Sequence, residues 1–266
     1  MFKMQFHSIF LSAADSSELG RVDKASLSTQ TLMEIFIEGI ENKEAICKNR
    51  EDYDKWEGIT NSPEQTTDGV EFFRIEWCQL DLVGTIDLQW LPPTVYVLEA
   101  YGNNLRGSLN LTALPPSTRC LDVDINAFSG EIELCNLPAE IDRLNLSRNH
   151  LSGSLNLEKL PQLIRKLYLN SNRFSGTVCL LHLPRKLAEF SLGENELSGA
   201  VSLTRLPATI KGIWLQKNNF EGKTDFSQLP KSLRVLNVSH TNLSGEIVAP
   251  NERKLFDVGH SNVEVI

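Results

Sequence analysis

The dipeptide Leu-Pro recurs along the chain at one fixed spacing, and this regularity constrains the fold more than any other feature. Leu-Pro begins at positions 91, 114, 137, 160, 183, 206 and 229, so every interval is 23 residues. A constant period of roughly 20 to 50 residues is typical of solenoids, in which each unit buries its apolar side chains by stacking on its neighbours. The sequence therefore predicts a stacked array of coils.

One repeat shows how a coil is built. In residues 137–159, LPAEIDRLNLSRNHLSGSLNLEK, the alternation of Leu144 and Leu146 indicates a strand with one face turned inward. Leu155 and Leu157 alternate in the same way after the Ser-Gly pair and predict a second strand, while Pro138 disfavours a helix before the first strand. We expect two short strands per coil and, after stacking, a mainly β solenoid with two parallel sheets.

An asparagine follows the first strand in six consecutive coils: Asn103, Asn126, Asn149, Asn172, Asn195 and Asn218. The chain turns inward at this point, and buried backbone groups there need hydrogen-bonding partners. A carboxamide offers two donors and an acceptor, which suits it to that task. We predict a structural asparagine ladder that joins adjacent coils, with no catalytic role.

The two ends of the array differ from its middle. Residues 1–67 form an N-terminal segment in which 27–47 are predicted to be an amphipathic helix that begins at the N-cap Ser28 and covers the first coil. Its apolar face would contain Leu32, Ile35, Phe36, Ile40 and Ile46. Residues 68–90 are a degenerate first repeat, 91–251 hold seven full repeats, and 249–266, starting at Ala249-Pro250, are a truncated last repeat without a cover.

The repeat L-x-x-L-x-L-x-x-N-x-L-S-G-x-L resembles the leucine-rich-repeat (LRR) family, and its Leu-Ser-Gly portion is similar to the plant-type subclass. The resemblance spans about 68–263 and implies a right-handed β-β superhelix with a binding role. The plant-type Ile-Pro after Ser-Gly is replaced by an alternating segment such as Ser154-Leu155-Asn156-Leu157. This departure indicates a divergent branch, for which a protist source is one candidate.

The N-terminal segment also resembles the plant-type cap, through its helix, Trp56-Glu57-Gly58-Ile59 and then Gly69-Val70. That cap usually contains a paired-cysteine motif around the tryptophan, whereas here no cysteine lies between residues 48 and 77. Because disulfides are rare in reducing compartments, their absence from the cap favours an intracellular location over a secreted or cell-surface one.

In the LRR family, partners most often bind on the concave sheet built from the first strands. The outward positions of those strands in this chain are acidic early in the array, basic and aromatic in the middle, and aromatic again near the end. Exposed aromatic and arginine side chains are enriched at binding hot spots. The predicted partner-binding residues are Trp214, Tyr168, Tyr101, Arg143, Lys166, Glu99, Asp122, Asp124, Asn145, Asn170 and Gln216.

Several classes of function lack support in the sequence. A formal charge of −8 from 26 basic and 34 acidic residues does not suggest a nucleic-acid partner. No apolar run approaches the roughly 20 residues of a membrane span. Neither the five cysteines nor the five histidines show metal-ligand spacing. We therefore expect no enzyme, metal or cofactor.

Three interpretations of the function remain open. The first is a protein–protein interaction module that binds on the first-strand sheet. The second is an extracellular or surface recognition module for peptide or glycan ligands, similar to a receptor ectodomain. The third is a structural protein that dimerises or assembles end to end through the uncovered last coil.

Overall fold

The computed structural model describes residues 23–48, 52–67, 70–248 and 255–266, and over these ranges the chain is a solenoid of stacked β coils. Residues 1–22, Gly69 and the Ala249-Pro250 pair, to which parts of the sequence analysis apply, lie outside the described ranges. No helix in the described part of the chain has the length and apolar character to cross a membrane.

Ten strands of the described residues form the first sheet. Strand β1 (Ile59–Thr67) pairs antiparallel with β2 (Val70–Glu76), and every later neighbour is parallel. Paired residues in successive repeats are 23 positions apart, as in Lys166 opposite Arg143, so equivalent side chains stand in straight rows across the sheet. The parallel strands after β2 are β4 (Val95–Glu99), β6 (Cys120–Asp122), β8 (Arg143–Asn145), β10 (Lys166–Tyr168), β12 (Glu189–Ser191), β14 (Gly212–Trp214), β16 (Val235–Asn237) and β18 (Leu255–Asp257).

In the described part of the chain nine parallel strands form the second sheet, which confirms the predicted pair of parallel sheets. Paired residues here are 21 positions apart, as in Ser129 opposite His150, and this two-residue offset keeps inward and outward faces aligned. The strands are β3 (Val83–Thr85), β5 (Asn104–Gly107), β7 (Ala127–Glu131), β9 (His150–Gly153), β11 (Arg173–Gly176), β13 (Glu196–Gly199), β15 (Asn219–Lys223), β17 (Asn242–Ile247) and β19 (Asn262–Val265).

The position predicted for the second strand was wrong. Leu155 and Leu157 are buried, but residues 154–157 have no strand pairing, and the strand lies before them at His150–Gly153. The backbone N–H of Leu151 donates to the Oδ1 atom of Asn172 in the next coil at 3.0 Å, which aligns this segment for pairing. Gly153, at φ 85°, then turns the chain out of the sheet.

The core lies between the two sheets and runs the length of the stack. First strands contribute a row of buried side chains, such as Leu144 and Leu167, and second strands contribute a facing row, such as Leu151 and Phe174, all at 0% exposure. Within the described residues no long helix connects the strands of the coils; short 3-10 turns occur there at Leu88–Trp90 and Leu111–Ala113. Each coil therefore buries its side chains against its two neighbours.

The asparagine after the first strand links its coil to the preceding one. The Nδ2 group of Asn149 donates to the carbonyls of Val123 in the preceding coil at 3.0 Å and of Leu146 at 3.2 Å in its own. Its Oδ1 atom accepts the backbone N–H of Phe128 at 3.0 Å. In the last full coil Thr241 takes this place, and its hydroxyl donates to the carbonyl of Val238 at 2.7 Å.

The helix of the N-terminal cap is shorter than predicted. Helix α1 (Thr29–Phe36) begins after Ser28, whose hydroxyl accepts the backbone N–H of Thr31, so the predicted N-cap is correct. The helix stops at Phe36 and does not reach residue 47, because the following backbone pairs with the first coil. Leu32, Phe36, Ile40 and Ile46 are buried as predicted, whereas Ile35 is half-exposed.

The cap closes the open edges of both sheets at the N-terminal end. Strand β1 covers the edge of the first sheet, and the segment around Ile40 covers the second sheet by an antiparallel bridge to Gly84. The side chain of Asn42 supports this bridge, since it accepts the N–H of Val83 at 2.9 Å and donates to the carbonyl of Asp81 at 3.0 Å. The ring of Phe36 stacks on Trp77 with centroids 5.9 Å apart.

The other end of the described array is open. In the described residues β18 pairs only with β16, and β19 pairs only with β17. Leu255, Val265 and Ile266 are 73%, 53% and 63% exposed, whereas Val263 is buried. Phe256 and Val258 pack against the core from the last coil. This end therefore exposes strand edges and apolar side chains together.

Substitution of Gly84 tests the contact between cap and first coil. A Cβ atom at Gly84 would lie 2.1 Å from the carbonyl oxygen of Gly39, and φ is +116°. Gly130 is a matched control, because its φ is +87° but its nearest neighbour would be 3.8 Å away. We expect Gly84→Ala to lower the free energy of unfolding by about 2 kcal/mol more than Gly130→Ala, measured by urea unfolding. Equal losses would show that this contact does not fasten the cap.

Candidate functional site

The outward side chains of the first sheet form a continuous surface, called the first-strand face below, made of three rows of equivalent residues. In coils that include β4 to β16 the rows run through Val97 to Val235, Glu99 to Asn237, and Tyr101 to Ser239. Parallel strands lie about 4.8 Å apart, so neighbours within a row are close enough for direct contact. Side chains from different coils therefore form joint networks on this face.

A carboxylate network occupies the early part of the first-strand face. The Arg143 guanidinium lies 2.5 Å from the Oδ2 atom of Asp122 and 3.8 Å from Glu99. The amide of Asn145 donates to the same Asp122 oxygen at 3.1 Å. Arg74 pairs with Glu99 from the other side at 3.5 Å. The acidic early coils and the basic middle coils thus neutralise each other locally.

Asp122 is the most hidden charged group of this network. Its side chain is 3% exposed, and burial raises the pKa of its carboxyl group, while hydrogen bonds from Asp124 N–H and Asn145 and the charge of Arg143 act in the opposite direction. Arg143 itself remains 38% exposed at the side chain. In this pair Asp122 is a buried acceptor, and Arg143 above it is a cation that a ligand can reach.

A shallow depression of about 290 Å³ lies beside this network, in the middle of the first-strand face. Its basic side is Arg148, whose Nε atom donates to Asp124 at 2.9 Å. Within it, Ser147 donates to the Oδ1 atom of Asn170 at 2.7 Å. The lining consists of Asp124, Asn145, Ser147, Arg148, Tyr168 and Asn170.

The next coil adds an aromatic group with a fixed hydroxyl. Tyr168 donates a hydrogen bond to Glu189, and Lys166 lies 3.3 Å from the same carboxylate. Burial and the bond to Glu189 raise the pKa of Tyr168. Burial alone would raise the pKa of Glu189, but the hydrogen bonds from Tyr168 and Lys166 outweigh it and lower that pKa. Tyr168 is therefore held as a neutral phenol on the face.

Trp214 lies flat on the sheet rather than pointing away from it. A Cβ atom at Gly212 would lie 2.3 Å from the indole ring of Trp214, so the ring covers the space that a side chain would fill. Gln216 lies in the same way over Gly193, where a Cβ atom would meet its amide at 2.5 Å. The two glycines thus create a level, half-buried platform of one aromatic ring and one amide.

The first-strand face also carries a thiol-rich corner. Tyr101 is 36% exposed and its hydroxyl interacts with Cys78. Cys120 contacts Glu99 at 3.8 Å, and burial raises the pKa of its thiol to about 12. Both cysteines are free of disulfides. Such a thiol stays protonated at neutral pH and is a poor nucleophile.

The structure brings the predicted site residues into three groups. Glu99, Asp122, Arg143 and Asn145 share the carboxylate network. Asp124, Asn170 and Tyr168 line the depression, with Lys166 joined through Glu189. Trp214 and Gln216 form the platform, and Tyr101 stands apart beside Cys78.

Sequence reasoning missed Arg148 and Glu189 as site residues. Arg148 belongs to the position just before the asparagine, where Ile125, Arg148, Ser171, Glu194, Lys217 and His240 all have φ between 50° and 59°. Left-handed backbone turns these side chains to the border of the first-strand face. A comparison of that position across the repeats shows that it varies and is polar in every one of these coils except that of Ile125, and this signal could have identified Arg148.

No family model and no curated protein matches the sequence. Solved structures do match it in fold. A pollen receptor kinase 3 matches with a TM-score of 0.53 at 22% identity, over 73% of this chain and 96% of the other. A plant ice-binding protein matches with a TM-score of 0.60 at 16% identity, over 88% and 86%.

A third match is the LRR ectodomain of the Arabidopsis thaliana membrane receptor kinase GASSHO1/SCHENGEN3, solved in complex with Casparian strip integrity factor 2. Its TM-score is 0.60 at 19% identity, over 89% of this chain and 33% of the other. At these identities the likeness shows the fold, which is that of a leucine-rich-repeat solenoid with a small helix at its N-terminal end.

Replacement of Arg143 tests the coupling within the carboxylate network. Arg143→Gln removes the cation that lowers the pKa of buried Asp122, so that pKa rises further above its unfolded value. A carboxyl group whose pKa is higher in the folded than in the unfolded state stabilises the fold while it is protonated. The free energy of unfolding therefore falls as the pH rises from the pKa of the unfolded state, about 3.9, through that of the folded state. The loss in the free energy of unfolding of Arg143→Gln, relative to the unmodified chain, should therefore be small in acid and grow toward neutral pH.

The measurement is urea unfolding over a pH series, with the Asp122 carboxyl followed by NMR. Arg165→Gln is the matched control, because its partner Asp142 is 35% exposed, against 3% for Asp122. Exposed pairs contribute little, so the control should show a small deficit that does not change with pH. If the loss in the free energy of unfolding of Arg143→Gln also did not change with pH, the coupling between Arg143 and Asp122 would be contradicted.

Proposed function

We propose that this chain is a binding module for a polypeptide partner, which it recognises on the first-strand face. The observation that carries the proposal is the depression lined by Arg148, Asp124 and Asn170, which lies near the Trp214 platform on the same sheet. Tyr168, Ser191 and Trp214 stand in one row on three successive strands. The row spans about 10 Å, the length of roughly three residues of extended peptide.

The chemistry of this surface suits a peptide. Amide and hydroxyl groups such as Asn170 and Ser147 can donate to and accept from a peptide backbone. The indole ring of Trp214, which lies flat over Gly212, offers apolar contact. Aromatic and arginine side chains are enriched among residues that dominate binding energy. Because the charges on the face are paired locally, the expected ligand has mixed rather than uniform charge.

The fold comparisons support a binding role in a coarser sense. Two of the matched structures belong to receptor kinases, and the GASSHO1/SCHENGEN3 ectodomain was solved with a bound factor. Binding modules of this architecture present a rigid sheet and vary the side chains upon it. In this chain the corresponding variation lies in the three rows of the first-strand face and in the border position of Arg148.

A peptide-display selection against the full chain provides a ligand for the test. The affinity of the selected peptides is then measured by calorimetry for the unmodified chain, Trp214→Ala and Arg148→Ala. Arg173→Ala is the matched control for Arg148→Ala, because Arg173 is exposed on β11 of the second sheet. We expect each face variant to weaken binding roughly tenfold or more, as at a hot spot.

The control variant should bind the selected peptides as the unmodified chain does. Circular dichroism would establish that all variants keep the fold. Peptides that bind both face variants with unchanged affinity, or that lose affinity only with Arg173→Ala, would place the binding surface elsewhere and contradict the proposal.

A further inference from the structure

Three metal-ligand side chains meet on the side of the solenoid where the chain returns from the second sheet to the first. They are Glu158, Cys179 and His182, and their ligand atoms all lie within 4.8 Å of one another. The Sγ atom of Cys179 is 4.0 Å from the Nδ1 atom of His182. A thiol, an imidazole and a carboxylate are the three side-chain types that bind zinc in proteins.

The 23-residue period explains why these three residues do not form a metal-binding motif of closely spaced ligands in the sequence. Cys179 and His182 belong to one coil, whereas Glu158 belongs to the coil before it. The position 23 residues after Glu158 is Leu181, which lies between Cys179 and His182 in the sequence. Stacking therefore sets the carboxylate beside the Cys-x-x-His pair, although the sequence alone predicts no metal site.

Buried neighbours hold the backbone of all three residues in place. Leu157 precedes Glu158 and is 1% exposed, and Leu180 follows Cys179 and is 2% exposed. Leu183, next to His182, is 8% exposed. Glu158 and His182 extend from these anchored positions into solvent, and Cys179 is half-buried. Metal–ligand bonds of about 2.0 to 2.3 Å require ligand atoms to approach by roughly 1 Å, which rotation of exposed side chains can supply.

The nearby charges leave the group available to a cation. Lys159, the neighbouring base, acts on the preceding coil. Hydrogen bonds from Cys135 and the charge of Lys159 lower the pKa of Glu133, and Lys159 opposes the rise in the pKa of Cys135 that its bond to Glu133 causes. Glu158 forms no ion pair with any residue that the structure describes. With the Cys179 thiolate and the Glu158 carboxylate as ligands, a divalent ion would be electrically neutralised.

We propose that Glu158, Cys179 and His182 form a binding site for a divalent transition-metal ion of the zinc class. The mixed sulfur, nitrogen and oxygen ligand set favours zinc over calcium and magnesium, which take oxygen ligands. Three protein ligands leave a fourth tetrahedral position for water or for a group from another molecule. Binding converts the thiol to a thiolate and releases its proton to solvent.

Cobalt(II) is the first probe, because thiolate ligation gives it a charge-transfer absorption in the near ultraviolet. Titration of the reduced full chain should produce this band, and Cys179→Ser should abolish it. Cys47→Ser is the matched control, because Cys47 is also a half-buried free cysteine but lies in the cap. It should leave the band unchanged.

Zinc affinity, measured by competition with a chromophoric chelator, tests the other two ligands. Loss of even an outer partner weakens metal sites by about 10 to 100-fold, so Glu158→Gln and His182→Ala should each weaken zinc binding by at least roughly tenfold. His150→Ala, an exposed histidine on β9, should have no effect.

Three outcomes would each overturn the proposal: a cobalt band that persists in Cys179→Ser, a cobalt band that is absent from the unmodified chain, and zinc affinity that is unchanged in both Glu158→Gln and His182→Ala. All of these substitutions lie at exposed or half-exposed positions, and circular dichroism would verify that each variant is folded. Because the site is away from the first-strand face, its failure would not bear on peptide binding, and the failure of peptide binding would not bear on it.

Discussion

The hydrogen bonds of the buried asparagine side chains are the constraint on which the rest of the solenoid depends. After each first strand the backbone turns into the interior and leaves carbonyl and N–H groups without strand partners. Asn149 satisfies groups of its own coil and of the preceding one, and Asn172 and Asn195 repeat the arrangement. Unsatisfied buried polar groups cost about 1 to 3 kcal/mol each, so loss of one amide affects several groups at once.

This constraint also produces the binding surface. Because each asparagine fixes its coil relative to the next, side chains 23 residues apart stand side by side on the first sheet. Arg143 can then neutralise Asp122, and Tyr168 can bond to Glu189, although neither pair is close in sequence. The same stacking brings Glu158 to Cys179 and His182 on another side of the molecule. One periodic backbone thus creates distinct local chemistry wherever the variable positions differ.

The periodic parts of this structure could be predicted from the sequence, and the non-periodic parts could not. The Leu-Pro spacing and the Leu-x-Leu alternation were sufficient for two parallel sheets. The second strand was misplaced because Leu155 and Leu157 are buried without strand pairing, and alternation alone does not distinguish burial from pairing. The helix predicted over residues 27–47 is too long because the end of α1 is set by the bridge between Ile40 and Gly84, a contact between segments far apart in the sequence.

For the candidate site, the sequence could identify outward positions but not what their side chains contact. That Trp214 lies flat follows from the absence of a side chain at Gly212, and the role of Arg148 follows from its left-handed backbone. The orientation of Trp214 depends on a three-dimensional contact that the repeat pattern does not encode, whereas a comparison of repeats at the position of Arg148 would have singled it out.

Asn149→Asp tests the asparagine constraint most directly. The aspartate keeps the oxygen that accepts from Phe128 but replaces the amide that donates to Val123 and Leu146 with a second oxygen facing their carbonyls. The control Asn156→Asp lies at an exposed position where only the acceptor is used, by the N–H of Glu158. The account predicts a loss of about 3 kcal/mol in the free energy of unfolding for Asn149→Asp and less than about 0.5 kcal/mol for the control. Equal unfolding midpoints for the two variants would contradict it.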